Sequence, residues 1–173
     1  NYLNIADDLM KLGDKRDDRT GTGVYGMFGK SLEFDLRNNT FPLLTTKRVF
    51  TKGIIEELLW FLKSDTNSKN LENNNVNIWK GNTSREFLNS LNLDYEEGDL
   101  GPIYGHQWRH YGENYSNYHK KYNGFDQLKY IIDTIKNEPD SRRIILNSWN
   151  PCDIDKMALP PCHVMVQFYI EDG

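Results

Sequence analysis

Residues 158–170 read Ala158-Leu159-Pro160-Pro161-Cys162-His163-Val164-Met165-Val166-Gln167-Phe168-Tyr169-Ile170. Two prolines fix the backbone φ angles just before a cysteine. After it, Val164, Val166, Phe168 and Ile170 put an apolar side chain at every second residue. That period of two predicts a half-buried strand. Cys162 therefore stands at the mouth of a strand, on stiffened backbone. Stiffness suits a nucleophile, because small misplacements cost large factors in rate. A buried structural thiol is the commoner role of a free cysteine, so the rest of the chain must decide. His163 adjoins it, but neighbours on a strand face opposite sides. A structural or site-wall role is expected for His163 rather than that of an activating base.

Outward from this strand, residues 143–149 read as β-like. Residues 124–137 predict a helix with Phe125, Leu128, Ile131, Ile132 and Ile135 on one face, ended by Pro139. Residues 54–62 predict a helix that is apolar nearly all round, hence central and buried. Glu56 and Glu57 lie on it. A carboxylate in such surroundings is expected to be desolvated, with its pKa raised toward proton-transfer duty; periodicity does not choose between the two. At the start, Tyr2, Ile5, Ala6, Leu9 and Met10 form an amphipathic helix stopped by Gly13. Phe28, Leu32, Phe34 and Leu36 alternate as a strand would. Residues 65–77 are polar, a loop or a poorly ordered helix. Thr83-Ser84-Arg85-Glu86 reads as a capping box opening a short helix through Leu91. Residues 98–105 read as loop. Helices and strands mix without a βαβ rhythm, which predicts the α+β class and a single domain over residues 1–173.

The chain has 173 residues, 38% hydrophobic and 27% charged, with a net charge of −4. That balance argues against a non-specific nucleic-acid binder, which is usually basic. A local basic pocket for a small anion stays compatible with it. Two cysteines make no disulfide framework, so a reducing, cytoplasmic setting is expected. No apolar run approaches the about 20 residues of a membrane span. The chain opens on Asn1 and stops at Gly173 just after a turn signal, so part of a longer protein is expected.

Several constellations bear on chemistry. Gly21-Thr22-Gly23-Val24-Tyr25-Gly26 matches G-x-G-x-x-G, but it follows a helix and leads into a strand, the reverse of the dinucleotide fingerprint. Arg19 stands just ahead of it. Arg142-Arg143 offers two adjacent guanidiniums, which suit a phosphate. With Arg19 these make three candidate phosphate ligands against a background of solvated surface charge. His106 and His110 are four apart without a zincin pattern, and no metal is expected there. The aromatic residues Tyr104, Trp108, Tyr111, Tyr115, Tyr118 and Tyr122 are read as packing rather than as a base-stacking platform.

Together six stretches resemble the thymidylate synthase family. They are Asp18-Arg19-Thr20-Gly21-Thr22-Gly23, Phe41-Pro42-Leu43-Leu44-Thr45-Thr46-Lys47, Ile55-Glu56-Glu57-Leu58-Leu59-Trp60-Phe61, Asp99-Leu100-Gly101-Pro102-Ile103-Tyr104-Gly105 with Gln107-Trp108-Arg109, Asp140-Ser141-Arg142-Arg143-Ile144-Ile145, and Ala158 to His163. They occur in the family's order. The resemblance implies a mixed sheet flanked by helices, truncated here on its C-terminal side. It implies conversion of dUMP to dTMP, with 5,10-methylenetetrahydrofolate giving both the carbon and the hydride, and no metal. Cys162 is then the nucleophile that adds to pyrimidine C6 and activates C5. Glu57 matches the carboxylate that organises water and proton transfer near O4 and the folate. Tyr104 matches a residue of the proton-transfer step at C5. Arg19 matches a ligand of the dUMP phosphate, and Arg142 and Arg143 match residues that reach into the partner's site of a homodimer. Phe50, Ile78, Trp79 and Asn82 fall where the family lines its folate pocket. Neither a membrane nor a nucleic acid is implied as a partner.

Some positions depart from the family's commonest choices: Cys152 stands where a lysine is common, Lys80-Gly81-Asn82-Thr83 is unusual, and Met27, Ser64 and Ser148 are less frequent. The family continues for roughly another hundred residues, which carry further substrate contacts. The expectation is that these residues alone do not turn over. Three rivals remain: a deoxycytidylate hydroxymethylase of the same fold, a cysteine hydrolase, and a non-enzymatic binding module. A lone synthase and one fused to dihydrofolate reductase are both compatible with the sequence.

Overall fold

Helix α1, Tyr2–Leu12, ends where the glycine predicts: the Gly13 N–H donates to the Leu9 carbonyl at 3.0 Å. The structure is a computed structural model that describes residues 2–18 and 21–171. Its residues gather into two compact units, 1–49 and 50–173.

In the first unit, β1 (Asp14–Arg16) pairs antiparallel with β2 (Val24–Gly26), Lys15 opposite Tyr25. The connecting loop carries Gly21 and Gly23 at φ 73° and 78°, left-handed backbone that glycine adopts without strain. The Gly23 N–H donates to Asp18 Oδ1 at 3.0 Å. Arg19 and Thr20 lie outside the described residues. The glycine run follows β1 rather than a helix, which corrects the expectation, but it leads into a strand and opens no helix, so the setting of a dinucleotide fingerprint stays incomplete. The strand expected over residues 28–36 is corrected: these residues form no ladder, and Phe28, Phe34 and Leu36 are exposed. Alternation supplies an apolar face, but a strand also needs a partner to take its hydrogen bonds.

The second unit opens with α2, Thr51–Leu62. Burial all round is corrected: only Gly53, Trp60 and Phe61 are buried, while Ile54, Ile55, Leu58 and Leu59 are 45–58% exposed. One stripe of the helix meets the core, as the 3.6-residue period allows, and the remaining apolar residues point away from it. The polar stretch that follows contains α3, Ser68–Glu72, capped by the Asn67 side chain, which accepts from the Lys69 N–H at 3.0 Å. A 3₁₀ turn at Lys80–Thr83 leads to α4, Arg85–Ser90. Its cap is Ser84, whose hydroxyl accepts from the Phe87 N–H at 3.2 Å. Thr83, the expected cap, is instead buried, its hydroxyl 2.8 Å from that of Ser68.

The largest correction is α5, Tyr104–Arg109, where the sequence reads as loop. Every residue from Tyr104 to Trp108 is buried. Tertiary contacts hold this helix rather than propensity. The Gln107 amide donates to the Pro102 carbonyl and to Asp153 Oδ2, both at 2.9 Å. Arg109 donates to the Leu62 carbonyl at 2.7 Å and pairs with Asp126 at 2.8 Å.

Helix α6, Gln127–Asn137, starts after the Asp126 cap. Ile131 is buried, whereas Phe125 and Ile132 are exposed. Strand β3 (Ile145–Asn147) pairs antiparallel with β4 (Met165–Gln167), Leu146 opposite Val166. The strand after Cys162 thus exists, but its half-burial is corrected: Val164, Val166 and Phe168 are exposed, and Ile170 alone of the four packs on the core. Within the described residues, no second layer covers that face of the ladder. The core centres on Leu88, Leu100, Ile103 and Ile144, each fully buried, each stabilising the fold by about 1.5–3 kcal/mol. Helices and small antiparallel ladders together make an α+β fold. Among the described residues, no helix is long and apolar enough to cross a membrane.

Candidate active site

Pro161 is buried, and Cys162 beside it is exposed. The Cys162 N–H donates to the Tyr104 hydroxyl at 2.6 Å. Tyr104 opens α5, and its ring is wedged between Phe61 of α2, 4.6 Å away, and His163, stacked at 4.0 Å and 17°. The thiol's backbone is therefore tied to the most deeply packed helix of the unit. Cys162 and His163 lie in a bend ahead of β4, not in the ladder, and both face one cavity. This corrects the premise that strand geometry sends them to opposite faces. His163 is a wall of the site, and its burial lowers its pKa, so the ring is neutral at pH 7.

The cavity has a volume of about 300 Å³. Glu57 enters it from α2, while Ile78, Trp79 and Asn82 enter from around the 3₁₀ turn. Leu159 completes an apolar wall beside the thiol. The Trp79 Nε1–H donates to Glu57 Oε1 at 2.7 Å. Burial raises the Glu57 pKa, and the indole bond opposes that rise. Burial likewise raises the Tyr104 pKa, keeping the phenol protonated. Glu56 turns elsewhere and accepts from the Asn74 amide at 3.3 Å.

Of the residues singled out from sequence, Cys162, Glu57, Tyr104, Ile78, Trp79 and Asn82 meet on this cavity. Arg142 and Arg143 sit exposed in the turn before β3 and do not line it. Phe50 is the N-cap of α2, its ring against Gly53, and it does not line the cavity either. Arg19 is outside the described residues. Sequence reasoning missed Leu159 and the two hydrogen bonds that position Glu57 and Cys162. The apolar residue just ahead of Pro160-Pro161 was the one local signal for Leu159. Among the described residues, no group of three or more His, Cys, Asp or Glu side chains is placed to hold a metal.

A thiol held by its backbone, a partly desolvated carboxylate and a phenol thus share one cavity with an apolar wall, the make-up of a candidate small-molecule site. The thymidylate synthase family model matches residues 1–173, and the chain belongs to that family. The bifunctional dihydrofolate reductase-thymidylate synthase of Zea mays is 57% identical over 175 residues, which cover 99% of this chain and 33% of that protein. Bifunctional dihydrofolate reductase-thymidylate synthase 1 of Arabidopsis thaliana is 54% identical, covering 99% and 34%. The Leishmania major protein of the same name is 51% identical over 172 residues, covering 98% and 33%. The chain thus spans about a third of the length of these curated relatives.

Proposed function

We propose that the protein is a thymidylate synthase, converting dUMP to dTMP with 5,10-methylenetetrahydrofolate through a covalent adduct at Cys162. The observation that carries this reading is the meeting of Cys162, Glu57, Tyr104 and Trp79 on one cavity. The residues present fit the co-substrate: Ile78, Trp79 and Leu159 offer a flat apolar wall for a fused ring, and Asn82 a polar contact at its edge.

The Cys162 thiolate adds to C6 of the pyrimidine. A sulfur–carbon bond forms, and the C5=C6 electron pair moves onto C5 and O4, making C5 nucleophilic. The Tyr104 hydroxyl holds the Cys162 backbone, so the sulfur is placed before the ring arrives. Glu57, its pKa raised by burial, exchanges protons with O4 through water. Tyr104 serves the loss of the C5 proton after C5 has taken up the carbon. The bound folate supplies that one-carbon unit and then the hydride. Breaking the sulfur–carbon bond restores C5=C6 and the thiolate, leaving dTMP and dihydrofolate.

Arg19 is the proposed ligand of the dUMP phosphate, joined by Arg142 and Arg143 from the partner subunit of a homodimer, and Phe50 borders the folate. A larger mixed sheet and a cytoplasmic setting belong to the same reading. The relatives' names support placing this chain in a protein that also carries dihydrofolate reductase.

The test uses the intact protein with 5-fluoro-dUMP and the folate. Fluorine cannot leave C5 as a proton does, so the adduct is trapped. Mass spectrometry is expected to find it on the Cys162 peptide and to lose it in Cys162→Ala. Turnover that persists in Cys162→Ala refutes the mechanism, and turnover of dCMP in place of dUMP refutes the substrate.

A further inference from the structure

The segment that carries the thiol is fastened to α5 at a point outside the cavity. Asp153 stands at its head, 4% exposed, and does not line the candidate active site. Its Oδ2 accepts from Gln107 Nε2 and from Asn150 Nδ2, each at 2.9 Å. Its Oδ1 accepts from Lys156 Nζ at 2.8 Å. Gln107 is fully buried, and its Oε1 accepts from the same Asn150 amide at 3.2 Å. A carboxylate is kept out of water only where bonds of this kind replace its hydration. The proposed reaction leaves this one unused.

Tyr104 and Gln107 are one turn apart on α5, positions that neighbour each other on a helix surface. Gln107 takes the head of the segment at Asp153, and the Tyr104 hydroxyl takes its far end, the Cys162 N–H, at 2.6 Å. Residues 153–162 are thus bound at both ends to adjacent side chains of one helix. Between the ends, the Ala158 N–H donates to the Leu100 carbonyl at 3.0 Å, and Met157 and Ala158 are buried. Pro160 and Pro161 stiffen the last stretch, so a shift upstream is passed on to Cys162 rather than absorbed. Leu159, on the same segment, lines the cavity.

We propose that Asp153 is a positioning residue: by clasping Gln107 it holds the head of the segment on α5 and so keeps the Cys162 backbone against the Tyr104 hydroxyl. Its effect on chemistry rests on the proposed reaction at Cys162.

The experiment uses the intact protein with Asp153→Ala and Asp153→Asn, and two readouts. The first is deuterium exchange of the Cys162 backbone amide in ¹⁵N-cysteine-labelled protein, its signal identified by loss in Cys162→Ala. The second is the rate of adduct formation with saturating 5-fluoro-dUMP and the folate. That adduct stops before anything leaves C5, so the rate does not include the proton-transfer role of Tyr104. Asp153→Ala is expected to speed exchange and slow adduct formation, each at least about tenfold, while the dissociation constant of dUMP changes less than about twofold. Asp153→Asn keeps an oxygen for Gln107 but not the charge, so about threefold is expected in both readouts. In a Tyr104→Phe background the bond that Asp153 maintains is already gone, and Asp153→Ala should slow the adduct less than about twofold further. Wild-type exchange and rate in folded Asp153→Ala would mean that the buried Met157 and Ala158 hold the segment unaided. Fully additive losses in the double variant would mean general loosening; either result overturns the proposal. Should Asp153→Ala not fold, unchanged values in Asp153→Asn overturn it on their own. Amide exchange needs no reaction, so a wild type that forms no adduct refutes the proposed function and leaves the clasp to be decided by exchange.

Discussion

Trp79→Phe removes one hydrogen-bond donor from the active-site cavity and leaves an aromatic ring in its place. The indole N–H sits 2.7 Å from Glu57 Oε1, a short, charge-assisted contact when the carboxyl is ionised. Burial raises the pKa of this carboxyl, and the indole lowers it. Deleting the bond leaves burial unopposed, so the pKa rises further. A hydrogen bond to a charged group contributes about 1.5–3 kcal/mol. Glu57 is only half-buried, so water takes up part of the lost contact and the lower end applies. At about 1.4 kcal/mol per unit, the expected rise is about one pKa unit. The assay is a carboxyl ¹³C titration of the intact protein, with the Glu57 signal identified by its loss in Glu57→Gln. The acid limb of adduct formation at Cys162 is expected to move with it. Trp79 also packs against Trp60, ring centres 6.4 Å apart, so a smaller ring disturbs packing as well. A double-mutant cycle with Glu57→Gln separates the two effects. A midpoint that stays put or falls would refute the reasoning and reduce Trp79 to a packing residue.

Four further outcomes are expected. Tyr104→Phe strips the acceptor from the Cys162 N–H and should slow adduct formation while costing about 1 kcal/mol in urea unfolding; an unchanged rate counts against the positioning role. Gly101→Ala forces a side chain onto φ 74° backbone and into the Lys156 carbonyl, so at least about 3 kcal/mol of stability should be lost, and wild-type unfolding would contradict this. His106→Gln retains a donor for the Glu113 carbonyl but cannot take up a proton. Because the native pKa of His106 is depressed from 6.5, its contribution is present above that pH and lost as pH falls through the native value. The thermal midpoint of wild type should therefore drop relative to His106→Gln on acidification, and parallel curves would argue otherwise. Mixing Cys162→Ala subunits with Arg142→Ala/Arg143→Ala subunits should restore about a quarter of wild-type sites if the arginines act across a twofold dimer; no recovery would place them in their own subunit's site.

How much of this was legible in the sequence depends on how local each cause is. Helices α1 and α6 have apolar stripes that survive any context, and both were found within a few residues of their ends. Helix α5 has no such signature. Four of its six residues, Tyr104, Gly105, His106 and Trp108, are weak helix formers, and what holds the segment helical is Gln107 bonded to Asp153, forty-six residues away, and Arg109 bonded to Leu62, forty-seven away. No window of the sequence contains both ends of those bonds.

The two glutamates of α2 show the same limit at the scale of one side chain. Gly53, Glu56, Glu57, Trp60 and Phe61 lie at helical spacings of three and four, so both carboxylates flank the buried stripe equally. Periodicity is silent between them because the helix itself is. The choice is made by Trp79, twenty-two residues on, which donates to Glu57, while Asn74 takes Glu56. The backbone of Cys162 is fixed in the same way by Tyr104, fifty-eight residues before it. Residue types therefore pointed to the family the chain belongs to. The geometry that turns one carboxylate rather than its neighbour into the cavity resides in contacts between segments, and only the folded chain brings those segments together.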